Sequence, residues 1–332
     1  MTTPDATLHG TSDEISHDAL HGASPEPAGR LRPRGTVWAV LRVHRAALWV
    51  WTAFVAVTLA GIVRLHIRGL EIREAAAECA NPAPGRECVE SSYLLTPDWD
   101  YTGLVDLAAF FVAAVPFAVA AYAGGVLIGR EFETGTVDLV WTQSVSPLRW
   151  LAVKLGVAAL LVTAGTAAMA IAFRLMWLAG EKRLLDPWYA SDAFNAMGPA
   201  VLAYALFGLA VGTLAALLTG RALPGLAAGF GITLLVRLLG DVFRSELWPK
   251  VRWDWSGQMP PDAEQFRYEV PSVAGRLPDG RSSDATDATR EIMDIHPASH
   301  FWPIQLVETA LVLGMAGLAV AATFWALRSR MP

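Results

Sequence analysis

The pattern closest to a metal or catalytic site is a pair of histidines near the C-terminal end of the chain. His296 and His300 are spaced i, i+4, and Glu291 and Asp294 precede them. On a helix, histidines at this spacing share one face and can bind zinc. Pro297 lies between them, however, and the H-E-x-x-H sequence of zinc peptidases does not occur. We therefore expect no metal site, and a membrane-integrated metalloenzyme is the least favoured alternative.

A second segment resembles a phosphate-binding loop only in part. GREFETGT, residues 129–136, has the glycines and threonine of such a loop but no lysine, and no Gly-Lys pair occurs in the chain. A P-loop requires that lysine on the phosphates. The G-x-S-x-G turn of serine hydrolases is also missing from the sequence. The residues thus predict a protein that is not an enzyme and has no cofactor of its own.

The composition indicates a membrane protein. The chain has 332 residues, of which 54% are hydrophobic and 17% charged, whereas soluble domains carry about 25% charge. A hydrocarbon core needs about 20 apolar residues per helix, and lipid offers no partner to an open backbone. The runs of sufficient length lie at about 46–63, 103–129, 151–178, 196–219, 223–243 and 303–327. The predicted fold class is therefore an all-α, polytopic membrane protein with six transmembrane helices.

Basic residues near the span ends predict the orientation. Arginines lie before the first span, between the fourth and fifth spans, and after the sixth; they are Arg30, Arg32, Arg34, Arg42, Arg45, Arg221, Arg328 and Arg330. By the positive-inside rule these segments are cytoplasmic, so both termini lie in the cytoplasm of a plasma-membrane protein. Residues 1–29 lack the apolar core of a signal peptide and predict a disordered, acidic tail. Residues 30–332 form the membrane domain, with outer loops at about 64–102 and 244–302.

The two cysteines, Cys79 and Cys88, fall in the first of these outer loops. Disulfides persist on the oxidising side of a plasma membrane. We expect a Cys79–Cys88 disulfide that closes a short loop, and two unpaired thiols are the alternative.

Charged residues within the predicted spans include Asp106, Arg174, Arg237 and Glu308. Asp106 and Arg174 are near span ends, where long side chains reach the interface. Arg237 and Glu308 each lie about six residues from the outer end of their spans, so both are about 9 Å deep. Since charges in a membrane tend to pair, we predict an intramembrane Arg237–Glu308 pair. A structural clamp and a role in translocation both fit it.

The second and third spans are joined by a polar segment, residues 130–146, called here the insert. Glu133-Thr134-Gly135-Thr136 ends the second helix, and Thr136 can cap a new one. Val137, Val140 and Trp141 follow on one helical face. Ser146-Pro147 is a second helix start. The insert thus predicts a short amphipathic helix, which needs a surface to lie on because it is marginal alone in water.

The segment TVWAVLRVHRAALWVW precedes the first span. Val37, Trp38, Val40 and Leu41 lie close around one side of a helix, which suits a helix in the plane of the interface. A first span that simply starts early fits equally well.

Two motifs carry a resemblance to a known family. GREFETGTVDLVWTQSVSPLRWLAVKL, residues 129–155, resembles the cytoplasmic loop of permease subunits of ATP-binding-cassette exporters of the six-span class. HPASHFWPIQLVETALVL, residues 296–313, resembles a run that enters the last span in actinobacterial permeases of this kind. The first motif is moderately specific to the class, and the second is more specific to the actinobacterial branch.

The resemblance implies that this chain forms the translocation pathway and that ATP binds a separate ATPase subunit. The insert would then be the coupling helix that docks on that ATPase. Its charge would come from Arg130, Glu131 and Glu133, and its apolar ridge would follow Gly135 and Thr136 and consist of Val137, Val140 and Trp141. The implied partners are the ATPase, a second permease subunit, identical or different, and membrane lipids, with no nucleic acid.

A secondary carrier or channel that does not use ATP is the main alternative. Such proteins often contain internal repeats with broken helices at the midplane. The halves of this chain show no clear repeat, and the charges lie toward the outer side. The cargo stays open, since drugs, lipids and peptides all fit an apolar pathway.

Overall fold

The computed structural model describes residues 35–80, 99–137, 146–254, 263–266 and 292–329. Within these ranges, six helical segments are long and apolar enough to cross a membrane. They run from Arg45 to Glu78, Asp100 to Glu133, Pro147 to Ala179, Ala200 to Thr219, Ala222 to Glu246 and Ala298 to Arg328. The predicted all-α, six-span fold class is confirmed.

Two helices form the N-terminal part of the described chain. Helix α1 (Thr36–Val43) is separated from α2 (Arg45–Ala80) by His44, which lies at the C-cap of α1. In α1 the Arg42 guanidinium lies 4.9 Å from the centre of the Trp38 ring. The segment before the first span is thus a helix of its own.

Helix α2 continues well into the segment 64–102, where the sequence predicts a loop. Its 36 residues correspond to a length of about 54 Å, against about 30 Å for a hydrocarbon core. The extension is rich in helix-forming Arg, Glu and Ala, and it contains an i, i+3 ion pair in which Arg68 and Glu71 are 3.0 Å apart. Hydropathy predicts where a helix leaves the lipid, not where it ends.

The second span contains two helix types. Helix α3 (Trp99–Tyr122) leads into a π-helix (Ala123–Gly129), which is followed by the four-residue helix α4 (Arg130–Glu133). Helix α5 (Pro147–Ala179) forms the third span. Ser146 is its N-cap and accepts a hydrogen bond from the Arg149 N–H, as the Ser-Pro signal predicts.

The remaining helices build the centre of the bundle. A short helix α6 (Ser191–Met197) precedes α7 (Ala200–Thr219), and α8 (Ala222–Phe243) continues as a 3₁₀ turn (Arg244–Glu246). The last span is α9 (Phe301–Arg328). Helix α7 is mostly buried, since it packs against α3, α8 and α9, whereas the membrane segment of α2 has few fully buried residues and is otherwise half-buried or exposed.

The segment 244–302, also predicted to be a loop, contains a small antiparallel sheet. Strands β1 (Val251–Asp254), β2 (Glu264–Phe266) and β3 (Ile292–His296) are arranged in the order β1-β3-β2. Ile295 of β3 is opposite Val251 of β1 and Gln265 of β2. This pairing joins residues far apart in the chain, so local sequence patterns do not reveal it.

Candidate functional site

The second and fifth spans approach each other closely at the insert end of the bundle. In the π-helix, Gly124 faces Gly225 of α8; a Cβ placed on Gly225 would lie 2.8 Å from the Gly124 carbonyl oxygen. One turn further along α8, a Cβ on Gly229 would lie 2.8 Å from the Cα of Gly212 in α7. Small residues permit this backbone contact between membrane helices. The insert therefore starts from a helix that is tightly packed on the fifth span.

The first residues of the insert form a hydrogen-bonded turn after α4. The Thr134 hydroxyl donates to the Arg130 carbonyl over 2.8 Å, and the Thr136 hydroxyl donates to the Glu131 carbonyl over 3.3 Å. Gly135 has φ +69°, in the left-handed region that glycine adopts without strain. The Gly-Thr sequence therefore ends the second span and turns the chain.

Glu131 connects the insert to the third span. Its carboxylate forms an ion pair with Lys154 of α5, whose ammonium also donates to the Leu127 carbonyl over 3.1 Å. Lys154 is 3% exposed. The second carboxylate oxygen of Glu131 is buried and has no hydrogen-bond partner in the described part of the chain. Sequence analysis missed Lys154 as a site residue, although it is the one lysine within the predicted third span.

Glu133 connects the insert to the fifth span. Its side chain accepts a hydrogen bond from the Ala222 N–H over 3.0 Å. Ala222 is the first residue of α8, so the carboxylate satisfies one of the open N–H groups there and lies at the positive end of the helix dipole. Both insert carboxylates thus have partners within this chain.

The other residues of the predicted docking surface differ in exposure. Arg130, Gly135 and Thr136 are exposed. Val137 is only 4% exposed, because it packs within the main apolar core. Val140 and Trp141 lie outside the described residues. In a single copy of the chain, the accessible described part of the insert is therefore its polar turn.

A histidine–tyrosine pair lies near the Lys154 ion pair. The Tyr122 hydroxyl and His44 Nδ1 are 3.0 Å apart, and His44 Nε2 is buried without a partner in the described chain. Burial, followed by the positive charge of Lys154, lowers the pKa of His44 to about 4. The imidazole is therefore neutral at neutral pH.

At the opposite end of the bundle, the structure brings Arg237 and Glu308 together within a larger cluster. Their closest atoms, Arg237 Nη1 and Glu308 Oε1, are 3.9 Å apart. Arg244 lies closer, with Nε 3.2 Å from Glu308 Oε2. Asp241 contacts both arginines, at 2.9 Å from Arg237 and 2.6 Å from Arg244.

Neutral side chains complete this cluster, which we call the outer cluster after the orientation that the sequence predicts. The Tyr204 hydroxyl donates to Glu308 over 2.9 Å, and Arg244 donates to the Asn195 side-chain oxygen over 2.8 Å. Four elements thus meet: α6, α7, α8 with its 3₁₀ turn, and α9. Sequence analysis missed Asp241 and Arg244. Their spacing is the signal that could have found them, because 237, 241 and 244 follow the helical i, i+4, i+7 pattern.

The two histidines of the H-x-x-x-H sequence form a hydrogen-bonded pair at the C-terminal end of the central strand, β3. His296 Nδ1 and His300 Nδ1 are 2.9 Å apart, and His296 Nε2 is 3.0 Å from the Ser245 carbonyl oxygen. A carbonyl only accepts, so His296 Nε2 donates and His296 Nδ1 accepts from His300 in the neutral pair. The described residues contribute no third His, Cys, Asp or Glu to this pair. Its geometry is explained by its role in anchoring β3 to the end of the fifth span.

The predicted Cys79–Cys88 disulfide lies outside the described residues, since Cys88 and the side chain of Cys79 are not among them. It stays a prediction.

Comparison with known proteins identifies one family. The family model described as ABC-2 membrane transporter related matches residues 46–244, which is more than half of the chain. The match includes the first five spans, the insert and the arginine at the end of the fifth span. No curated protein and no solved structure matches the chain.

Proposed function

The chain belongs to the ABC-2 membrane transporter related family, and on this premise we propose that it is the permease subunit of an ATP-driven export system, coupled through its insert to a separate ATPase subunit. The family supports a transport subunit of a multi-pass membrane protein and implies an ATP-binding-cassette ATPase as partner. Export, coupling through the insert and the assembly are the parts that we propose.

The connections of the insert carry this proposal. Glu131 binds Lys154 of the third span, and Glu133 binds the start of the fifth span. A partner that displaces the insert would pull on both spans at once. The contact with the fifth span supports a coupling element, because a loop that only joined the second and third spans would not require a tie to a third helix.

The energy source lies on the partner. ATP can shift the permease between inward- and outward-facing states only if the ATPase binds those states with different affinity. We propose that the ATPase distinguishes the two states through its contact with the insert. The chain itself has no Gly-Lys pair for a nucleotide, so ATP is the cofactor of the ATPase subunit.

The orientation follows from the positive-inside rule. We place the insert and both termini in the cytoplasm, and the outer cluster and the small sheet on the opposite side. The membrane segment of α2 has few fully buried residues in one copy, which supports a second permease subunit or lipid around this helix.

Trp141 gives the sharpest test, because interface energy concentrates in a few aromatic anchors. We expect Trp141→Ala to weaken ATPase binding by at least about 30-fold, the equivalent of 2 kcal/mol, with normal insertion. The measurement is the amount of ATPase that co-purifies with the tagged full-length chain from its native membranes. ATP hydrolysis by the complex is a second readout.

The matched control is Trp325→Ala. Trp325 is 73% exposed near the end of the last span, on the side where we place the insert. If Trp141 merely anchored the chain at the lipid headgroups, both variants would retain the ATPase equally. Equal retention would contradict docking through the insert, and transport that continues without ATP would favour the secondary carrier.

A further inference from the structure

A narrow slot of about 500 Å³ lies between α1, α2, α3 and α5. Its walls are almost entirely apolar and include Trp51, Phe54, Val115 and Leu161. Val50 and Val126 also line it, and they are 70% and 46% exposed. The slot therefore opens sideways toward the lipid. Its volume falls within the range of about 300–1,000 Å³ that is usual for small-molecule sites.

The length of the slot matches one membrane leaflet. Along α3 it is lined from Phe111 to Tyr122, a distance of about 16 Å at the rise of an α-helix. The hydrocarbon core is about 30 Å thick, so the slot covers about half of it. Along α5 the lining runs from Lys154 to Val162, which places it in the half nearer the insert.

The Trp51 indole N–H is used up by the Leu161 carbonyl, to which it donates over 3.2 Å, and the other polar side chains of the slot lie at its insert end. They are His44, Tyr122 and Lys154. Lys154 is already occupied by Glu131 and the Leu127 carbonyl. His44 is different: its Nδ1 bonds the Tyr122 hydroxyl, while its Nε2 is buried without a partner in the described chain. When Tyr122 donates to Nδ1, Nε2 carries the hydrogen and is a donor without an acceptor.

The same end of the slot has positive charge at its rim. Arg42 and Arg45 flank His44 in sequence, and both are exposed. Val40 and Leu41 of α1 line the slot between these arginines and the apolar walls. Basic pockets between membrane helices are typical sites for the headgroups of anionic lipids.

From these observations we propose that the slot is a binding site for an anionic glycerophospholipid of the leaflet on the insert side. One acyl chain fills the apolar slot, an oxygen of the glycerol ester or phosphate accepts from His44 Nε2, and the headgroup lies beside Arg42 and Arg45. The site depends on the position of the spans in the membrane. It does not depend on export or on the ATPase.

Photolabelling tests this site directly. The full-length chain is placed in nanodiscs of phosphatidylcholine that contain a small fraction of phosphatidylglycerol with a photoreactive acyl chain, and adducts are located by mass spectrometry. We expect labelling of the segments around Trp51, Phe111–Tyr122 and Val157–Val162 to saturate. Unlabelled phosphatidylglycerol should compete, and added phosphatidylcholine should not.

Variants separate the slot from lipid that only surrounds the protein. Ala158→Trp fills the slot and should reduce the slot adducts about tenfold, an effect expected when a bulky side chain occupies a closely fitted site. The control is Ala168→Trp on an exposed position of the same helix, which should leave the adducts unchanged. Ala118→Trp, from the opposite wall, is the second blocking variant in case the first does not fold.

His44→Phe tests the polar contact. It should weaken competition by phosphatidylglycerol about threefold to tenfold, the effect of one lost hydrogen bond. Labelling that never saturates in the wild-type protein, or that is equal in Ala158→Trp and Ala168→Trp, would overturn the site. Equal competition by phosphatidylcholine would overturn its preference for an anionic headgroup.

Discussion

The two ends of the bundle hold their buried charges in different ways. In the outer cluster, Arg237 and Arg244 each contact both Asp241 and Glu308. Each carboxylate therefore has two cationic partners. At the insert end a single lysine, Lys154, pairs with a single glutamate whose second oxygen has no partner in the described chain.

The difference in redundancy suggests a difference in role. In the outer cluster, loss of one contact leaves others in place, so the ends of α6, α7, α8 and α9 stay together. Among the described residues of the insert, each carboxylate makes one connection: Glu131 to the third span and Glu133 to the fifth. One ion pair or hydrogen bond per contact suits the insert end, where segments must move and separate. The many interactions of the outer cluster suit an end of the bundle that stays in place.

Arg244→Leu should produce the largest loss of stability. Removing this guanidinium takes the closest cation from both Glu308 and Asp241 and leaves them the more distant Arg237. We therefore expect a loss of about 3 kcal/mol, the lower end of the cost of breaking a buried ion pair. Arg237→Leu is the matched control and should cost about 1–2 kcal/mol, within the usual range for a single change, because Glu308 and Asp241 keep Arg244. The measurement is the free energy of unfolding in mixed detergent micelles.

An equal loss in both variants would show that the cluster has no dominant pair. A larger loss of stability in Arg237→Leu than in Arg244→Leu would mean that Arg237 and Glu308 form the dominant pair, as their similar depth in the membrane predicts.

Lys154→Met should have a smaller effect on stability and a larger one on coupling. Glu131 loses its ion-pair partner among the described residues, and its second carboxylate oxygen is already buried without a partner there. Its side chain as a whole is still 20% exposed, so we expect a loss of about 1–3 kcal/mol. If Glu131 ties the insert to the third span, ATP hydrolysis by the complex should no longer respond to transport.

Two comparisons sharpen this result. Lys182→Met, just beyond the opposite end of α5, removes an exposed lysine that donates to the Trp177 carbonyl and lies over the Trp177 ring. It leaves no buried charge unpaired and should cost no more than about 1 kcal/mol. Glu131→Gln added to Lys154→Met should recover stability but not coupling. Recovery of both would mean that the charge pair is structural only.

Local and long-range features of this fold differ in how well the sequence predicts them. The six apolar runs and the Ser146-Pro147 helix start follow from composition and capping, and the structure confirms them. The β-sheet and the extension of α2 were missed, because strand pairing joins distant residues and helix formation continues beyond the lipid.

The charges illustrate the same limit. Counting residues from the span ends placed Arg237 and Glu308 at similar depth, and they are in fact neighbours. The same count missed Arg244, because the sequence places that residue in a loop. It also missed the Lys154–Glu131 pair, because the depth of a residue does not show which helices are adjacent.

Glu133 should give the smallest effect on stability and the finest test of the difference between the two ends. Its carboxylate caps α8 at the Ala222 N–H, and an N-terminal cap contributes about 0.5–2 kcal/mol while the charge–dipole part contributes about 0.3–1 kcal/mol. Glu133→Ala should therefore lose the whole cap, and Glu133→Gln, which keeps an acceptor oxygen, only the smaller part. If the tie transmits motion to the fifth span, Glu133→Ala should reduce ATP hydrolysis coupled to transport far more than its small loss of stability explains, whereas Glu133→Gln should retain most of it. A decline in coupled hydrolysis that merely follows unfolding in both variants would mean that Glu133 is a helix cap and nothing more, and Glu131 would then be the one carboxylate among the described residues of the insert that takes part in coupling.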